Sequence, residues 1–417
     1  MELALLGGRP VRERPYPSWP DYGAEEAESL LSVLRSGSWG GYNEKVEEFE
    51  AAFAKLHQVA HAVSCANGTV ALEVVLRALG IGAGDEVIVP AITFISTAST
   101  VLLCQGWPVF ADILPSTLNL SPAAVEAAVT SRTKAIVAVH FGGQPADMEA
   151  LRKIAQRHGL ALIEDAAHAH GAAWCGIPVG NFGQVATFSF QAFKLVTSGE
   201  GGIILTNSPD LAERAWSYCN QGRRKGRGWF EHYSLGTNYR MTGFQAALLT
   251  AQLAKLPEQT QRRQANVAYL RSLLRELPGL RLEDDDPRVT SQPHYLVTLR
   301  YHREQFGDIS RDLFLRALAA EGVPAQPSYP FPLYRNPMFR RENLPAWARG
   351  QTPPQPYESL FLPESERLCA DGIWLEHHLF LGGSRDVEDI VAAAKKISQH
   401  AAKLRPHEGS LSALPKP

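Results

Sequence analysis

Short runs rich in β-branched and aromatic residues punctuate the first half of the chain: HAVSC (61–65), EVIVP (86–90), PVFAD (108–112), AIVAVH (135–140), ALIED (161–165), ATFSF (186–190) and GGIILT (201–206). Helical patterns lie between several of them, at Thr69–Leu79, Ile95–Cys104, Pro122–Val129 and Met148–Arg157. This alternation constrains the fold more than any other feature. Strands apolar on both faces and joined by helices require a largely parallel sheet covered on both sides. Such sheets bind their ligands beyond the carboxyl ends of the strands. The residues that follow each run are therefore the first candidates for function.

The pattern changes near Thr242. A long helical stretch, Gly243 to Leu274, leads into an α+β remainder: a strand at HYLVTLRY (294–301), a helix at Ser310–Glu321, a Pro-rich stretch from Val323 to Tyr357 and a last helix at Asp386–Leu404. Prolines disfavour helix over residues 1–20, which read as an extended arm. The helical pattern from Ala24 stops at Gly37, a natural C-cap. The expected division is an arm and large domain over 1–260, a smaller domain over 261–405 and a disordered tail over 406–417.

A formal net charge of −2 offers no basic field for nucleic acid or an anionic membrane. No apolar run reaches the roughly 18 residues a membrane span needs, and the first residues lack the features of a secretory signal. Cys65, Cys104, Cys175, Cys219 and Cys369 are odd in number, far apart and without a C-x-x-C pair. They read as reduced thiols of a cytoplasmic protein, not as a disulfide framework or zinc site. His168 and His170 have no neighbouring acid or cysteine cluster, so no metal is expected.

Four strand-end features carry chemistry. ALIED ends in Glu164 and Asp165, and a carboxylate at the tip of a buried strand is costly unless it meets a cation or hydrogen-bond donors. Taken alone, the plainer explanation is a structural ion pair or a cap. ATFSFQAFKLVTSGEGG (186–202) places Lys194 directly after an aromatic strand. Desolvated there, a lysine loses pKa and becomes a nucleophile able to form a Schiff base; a stem running out to solvent is the alternative. CANGTVAL (65–72) is a small-residue turn opening a helix, where backbone N–H groups, the helix dipole and the Thr69 hydroxyl favour an anion. Such turns also serve plain packing. Phe94, in VPAITFIST (89–97), reads alone as a core residue. Together the four are what pyridoxal phosphate requires: a lysine for its aldehyde, an acid for its pyridine nitrogen, a helix N-terminus for its phosphate and a flat apolar contact for its ring.

The stretches GSWGG (37–41), ANGTVALE (66–73), GDEVIVPAITFISTAST (84–100), PVFADI (108–113), AVHFGGQPADM (138–148), IEDAAHAHGA (163–172), FSFQAFKLVTSGEGG (188–202) and GTNYRMTGFQAAL (236–248) carry a family resemblance. Over nearly its whole length the chain resembles the DegT/DnrJ/EryC1/StrS family of pyridoxal-phosphate-dependent aminotransferases, which act on sugars and aminocyclitols. The resemblance implies the α/β fold of type I PLP-dependent transferases (aspartate aminotransferase-like): a large domain with a mostly parallel mixed sheet and a smaller α+β C-terminal domain. It implies Lys194 as the internal aldimine and proton shuttle, with pyridoxamine phosphate formed in the half-reaction. Asp165 would hold the pyridine nitrogen. His168, where many members have Gln, would lie near the ring hydroxyl. Gly68, Thr69, Ser189 and Gln191 would hold the phosphate, and Phe94 would stack on the ring. Asn238 would reach the phosphate of a neighbouring subunit's cofactor, which implies a homodimer with shared active sites.

Family loops also place Trp39, Tyr239, Arg240, Tyr329 and His377 near the substrate, although packing explains each at least as well. The basic stretch GRRKGRG (222–228) is a solvated mobile loop or a grip on a phosphate or carboxylate. Two departures stand out: Gly243 where the family usually has Glu or Asp, and Phe193 where a small residue is common. IEDAAHAHGA, SFQ and the opening LALLGGRPVRE most resemble the aminocyclitol branch, which includes glutamine-dependent scyllo-inosose aminotransferases and aminohydroxybenzoate synthases. The implied activity moves an amino group from glutamine or glutamate to a keto-sugar or keto-cyclitol, in the biosynthesis of a secondary metabolite or a cell-surface glycan. Two rivals remain. In one kind of related sugar dehydratase His replaces the lysine, against which Lys194 stands. A non-catalytic regulatory or binding protein of this fold need not keep Lys194, Asp165 and the phosphate turn.

Overall fold

The computed structural model describes residues 2–283 and 285–408. Its centre is a seven-stranded sheet in the order His61–Cys65, Gly202–Thr206, Val185–Ser189, Ala161–Asp165, Thr133–Val139, Glu86–Pro90 and Trp107–Ala111. Gly202–Thr206 runs antiparallel to both its neighbours, and the remaining pairings are parallel. The carboxyl ends of the parallel strands and the start of Gly202–Thr206 consequently meet at one edge.

Alternate residues of the central strands feed opposite cores, as the two-residue period of a strand demands. Val87, Val89, Ala135, Val137 and Ile163 join one cluster, while Ile88, Ile136, Ala138 and Leu162 join another. Both faces are thus buried, which is why these runs read as continuously apolar. A third cluster packs Phe49, Phe53, Phe188 and Phe190 in edge-to-face contacts beside the long helix. Each such ring contributes about 1.5–3 kcal/mol by burial.

The helix Gly243–Leu274 joins two cores. Ala246, Leu249 and Leu256 pack with the strands around Lys194, and Val267, Leu270 and Leu274 pack under a second, four-stranded antiparallel sheet. That sheet orders Leu280–Leu282, Leu296–Tyr301, Gly372–Glu376 and Gln326–Pro327. Two segments lie outside a contiguous split at residue 260. The arm sends Leu3 into the second core and ion-pairs Arg12 with Asp386 and Asp389 at 2.7 and 2.8 Å. Within the Pro-rich stretch, Leu333, Tyr334, Phe339 and Tyr357 pack back on Phe110 of the large sheet. Apolar side chains there follow the nearest open hydrophobic surface, not the order of the chain. Of the tail expected from residue 406, Arg405–His407 form a short 3-10 turn and residues 409–417 lie outside the described residues.

Candidate active site

The sheet edge gathers the predicted groups. Asn67 caps the helix Gly68–Ala78, its Oδ1 accepting from Val70 N at 2.9 Å. The first turn of that helix lies against the end of Val185–Ser189. A Cβ on Gly68 would fall 2.6 Å from Ser189 Cβ, and one on Gly202 would fall 2.3 Å from the Asn67 carbonyl oxygen. Only glycine allows the turn to sit so close to the sheet. The Thr69 and Ser96 hydroxyls hydrogen-bond at 2.7 Å, and Gln191 N donates to Ser189 Oγ at 3.4 Å. Hydroxyls and a helix N-terminus thereby surround one small cradle. Phe94 is 58% exposed at the rim, so it is not the core residue that its strand-end position alone favours.

The two acids at the tip of Ala161–Asp165 have separate roles. Glu164 is fully buried and accepts from Gly180 N, Phe182 N, Gly183 N and His140 Nε2 at 2.8–3.1 Å. Burial alone pushes its carboxyl up; His140 and the backbone donors outweigh this and hold it below the ordinary carboxylate value. Glu164 thus anchors the strand. Asp165 points to the other side, where Thr97 Oγ1 donates to it at 2.9 Å and Ala167 N at 3.3 Å. Burial raises its pKa, and Thr97, Ala167 and the charge of Lys194 offset only part of that rise. An acid in this condition gains from a cationic partner.

Lys194 is half-buried, and desolvation pushes its amine down to about 8, against the opposing pull of Asp165. Its Nζ lies 4.4 Å from the centroid of the Tyr295 ring. His168 stacks on the same tyrosine, with ring centroids 4.3 Å apart at an interplanar angle of 26°. Burial, with the charge of Lys194, holds the His168 imidazole far below its ordinary pKa. Its Nδ1 is buried and has no hydrogen-bond partner, which leaves a polar atom for a ligand.

His377 belongs to this group, with Nε2 3.1 Å from the Phe193 carbonyl oxygen and its ring stacked near Tyr295. Tyr329 packs edge-on to Trp374 at 4.8 Å and senses the charge of Asp165. Phe193 itself is 61% exposed. The remaining candidates form another patch. Tyr239 bonds Glu73 through its hydroxyl at 3.2 Å, and its carbonyl accepts from Ala66 N in the cradle turn. Arg240 donates to Gln221 and lies over the Tyr42 ring. Trp39 donates to the Leu34 carbonyl. Asn238 is exposed and bridges Asn220. Residues 223–228 of the basic loop and Arg240 line a neighbouring cavity of about 380 Å³.

Gly243, the departure noted above, has a local reason. A Cβ there would lie 2.8 Å from the Asn43 side chain, and Thr242 caps the helix instead. Thr97 and Tyr295 were not foreseen. Thr97 sits just after the Glu86–Pro90 strand and was within reach of the strand-end rule; Tyr295 comes from the distant α+β part and left no local signal. Among the described residues no cluster of His, Cys, Asp and Glu could hold a metal ion, and no helix is long and apolar enough to cross a membrane.

The sequence model of the DegT/DnrJ/EryC1/StrS aminotransferase family matches residues 20–395. The L-glutamine:2-deoxy-scyllo-inosose aminotransferase of Streptomyces lividus is 41% identical over 423 residues, covering 96% of this chain and 99% of that protein. A Streptoalloteichus tenebrarius protein, provisionally named an L-glutamine:3-amino-2,3-dideoxy-scyllo-inosose aminotransferase, is 42% identical over 414 residues, covering 97% and 99%. Among solved structures, 3-amino-5-hydroxybenzoic acid synthase superposes with a TM-score of 0.85 at 36% identity, covering 94% of this chain and 100% of that one.

Proposed function

Since the chain belongs to the DegT/DnrJ/EryC1/StrS aminotransferase family, we propose that it moves the amino group of glutamine onto a keto-cyclitol of the scyllo-inosose class, with pyridoxal phosphate carried on Lys194. The observation that carries this reading is the desolvated Lys194 amine beside the buried Asp165, opposite a cradle that only glycines keep open. The names of its relatives support the donor and the acceptor class.

The residues fit the cofactor. The cradle of Gly68, Thr69 and Ser189, with Gln191 beside it, suits a phosphate; Asp165 suits a pyridinium nitrogen; the unpartnered Nδ1 of His168 suits a ring hydroxyl; and Phe94 offers an exposed flat face. When bound, pyridoxal phosphate supplies an electron sink for the amino group in transit. The chain supplies the rest. Lys194, with an amine pushed down to about 8 by burial, takes a proton at Nζ and returns it. Asp165, held by Thr97, stands where a cationic partner would offset the burial that raises its pKa. His168 and His377 stay neutral under burial and so do not compete for the proton. His377, which senses the charge of Lys194, and Tyr329, which senses that of Asp165, are the candidates to meet substrate.

The working unit of this proposal is a homodimer. Trp39, Tyr42, Trp229, Phe230 and Leu235 are 51%, 51%, 55%, 88% and 83% exposed in the region of Asn238. Apolar surface of this kind is characteristic of an interface, and a second copy would bring Asn238 to its partner's phosphate cradle.

The test is a half-reaction. Protein loaded with pyridoxamine phosphate is mixed separately with 2-deoxy-scyllo-inosose, a nucleotide-linked keto-sugar and a simple 2-oxo acid. Recovery of the visible absorption of the lysine-bound cofactor with the cyclitol ketone is expected. Recovery with the 2-oxo acid alone refutes the acceptor class, and a Lys194→Ala protein that still turns over refutes the role of Lys194.

A further inference from the structure

Resting on the reading of Lys194 as the reacting amine, we infer that Tyr295 is the positioning residue for that amine: its ring face receives Lys194 Nζ when the lysine is free and holds it beside Asp165. The contact of 4.4 Å to the ring centroid lies within the range at which an ammonium is drawn to an aromatic face. The ring is packed against two imidazoles. It stacks with His168 at 4.3 Å and 26°, and with His377 at 5.8 Å and 24°. Trp19 closes the column against His377 at 4.4 Å, and Phe141 closes it against His168 at 6.0 Å.

The backbone that delivers the ring is held from three directions. Arg263, fully buried in the long helix, pairs with no carboxylate among the described residues; its Nε donates instead to the Pro293 carbonyl at 2.7 Å. His294 adopts φ of +50°, a left-handed conformation rare for a residue with a side chain and a mark of locally stored strain. At Gly143, where φ is +92°, a Cβ would lie 3.0 Å from the His168 carbonyl oxygen and 3.1 Å from Tyr295 N. A glycine therefore clears the space in which the His168 and Tyr295 backbones meet. A buried, unpaired guanidinium and a strained residue bracketing one tyrosine are costly as mere packing.

The ionisable groups around Lys194 are few. Asp165 comes from the strand end, His168 and His170 from the turn after it, Tyr329 from the Pro-rich segment, His377 from the turn after Gly372–Glu376, and Arg263 stands behind His377. Burial pushes all three imidazoles down, His170 to about 3, and pushes the phenols of Tyr295 and Tyr329 up. Against desolvation of the ammonium there remain the charge of Asp165 and the negative face of Tyr295. The ring thus favours the protonated amine and retains it within reach of the atoms that exchange its proton.

The experiment is competitive acetylation of Lys194 in the full-length, pyridoxamine-phosphate-loaded protein as a function of pH, read by mass spectrometry of the peptide that contains it. Labelling needs no turnover, so it reports on Tyr295 whether or not the protein aminates a cyclitol ketone. The Tyr295→Phe protein keeps the ring and is expected to hold the wild-type midpoint to within about 0.2 unit. The Tyr295→Leu protein loses the ring, and its midpoint is expected to fall by about 0.5 unit or more. Pentafluorophenylalanine at position 295 keeps the shape of the ring but removes its negative face, and the same fall is expected there. That variant decides the matter if Tyr295→Leu does not fold. An unchanged midpoint in the pentafluoro protein, or a fall in Tyr295→Phe as large as in Tyr295→Leu, overturns the inference.

Discussion

Replacing Glu164 with Gln tests whether the strand that presents Asp165 is clamped from behind. Glu164 uses both oxygens: Oε1 accepts from Phe182 N and Gly183 N, and Oε2 accepts from Gly180 N and His140 Nε2. His140 cannot reverse its role, because its Nδ1 already accepts from Ala146 N at 3.0 Å. A glutamine keeps one accepting oxygen and turns an NH2 toward the other pair, so two buried donors lose their acceptor. At about 1–3 kcal/mol for each buried group left unsatisfied, the cost is about 2–6 kcal/mol. An unfolding entropy of about 2.1 cal/mol/K per residue over 417 residues makes 1 kcal/mol worth about 1 °C. The melting temperature of Glu164→Gln at neutral pH should therefore fall by about 2–6 °C. The sign of the pH effect follows from the carboxyl being held below its ordinary value. Its contribution is complete above the unfolded pKa of about 4.3 and is lost as pH falls through the lower folded value. The gap between wild type and variant should hence narrow on acidification below about pH 4.3. Calorimetric melts at neutral and acidic pH measure both effects. A fall of less than about 1 °C at neutral pH, or a gap that widens in acid, refutes the clamp.

Three further outcomes are expected. Gly68→Ala sets a Cβ 2.6 Å from Ser189 Cβ; at about 1–3 kcal/mol of overpacking in the cradle, affinity for pyridoxal phosphate should fall about fivefold or more by spectroscopic titration, and an unaltered affinity would falsify the cradle assignment. Thr97→Val removes the 2.9 Å donor to Asp165; cofactor binding should weaken by about tenfold, in line with about 1.5 kcal/mol for a hydrogen bond to a charged group, and Thr97→Ser should restore it. With the Lys194 amine pushed down to about 8, the rate at which cofactor-free protein captures pyridoxal phosphate should rise with pH and level off just above that value. A rate still climbing toward about 10.4, where an unperturbed lysine titrates, would show that the amine is not desolvated.

What the sequence makes legible here follows the range of the physics. The seven strands and the long helix are local patterns: continuously apolar runs fed to two cores, and helical spacing closed by the Thr242 cap. Their boundaries read off to within a residue or two. The strand-end rule singled out Lys194, Asp165 and the 65–72 turn, because a parallel sheet leaves only one edge where polar groups can gather; Ser189 came only with the family resemblance. Elsewhere local signals fail. Glu164 and Asp165 are neighbours with the same side-chain chemistry, yet strand alternation turns one into backbone donors and the other toward Lys194, and nothing in ALIED distinguishes them. The arm and the Pro-rich stretch pack where open apolar surface is nearest, far from their places in the sequence.

Tyr295 shows the limit most clearly, and it bears on how the site works. It stands in a run that reads simply as a strand, but the strand begins at Leu296, and Tyr295 is delivered by a left-handed His294, a glycine cleared at 143 and a guanidinium buried at 263. The left-handed His294 and the buried guanidinium are locally unfavourable, Gly143 relieves a close approach, and each touches the same short segment. Unfavourable choices that converge on one side chain are what a fold retains when that side chain must be exact in position. Lys194 is placed by the sheet, which the sequence announces; the face on which its free amine rests is placed by residues from both cores, which only the folded chain brings together. Variants at Arg263 or His294 should therefore disturb the titration of Lys194 without touching it. A stable Arg263→Met protein with an unmoved Lys194 midpoint would instead separate the backbone pin from the amine, leaving the ring stack alone to hold Tyr295.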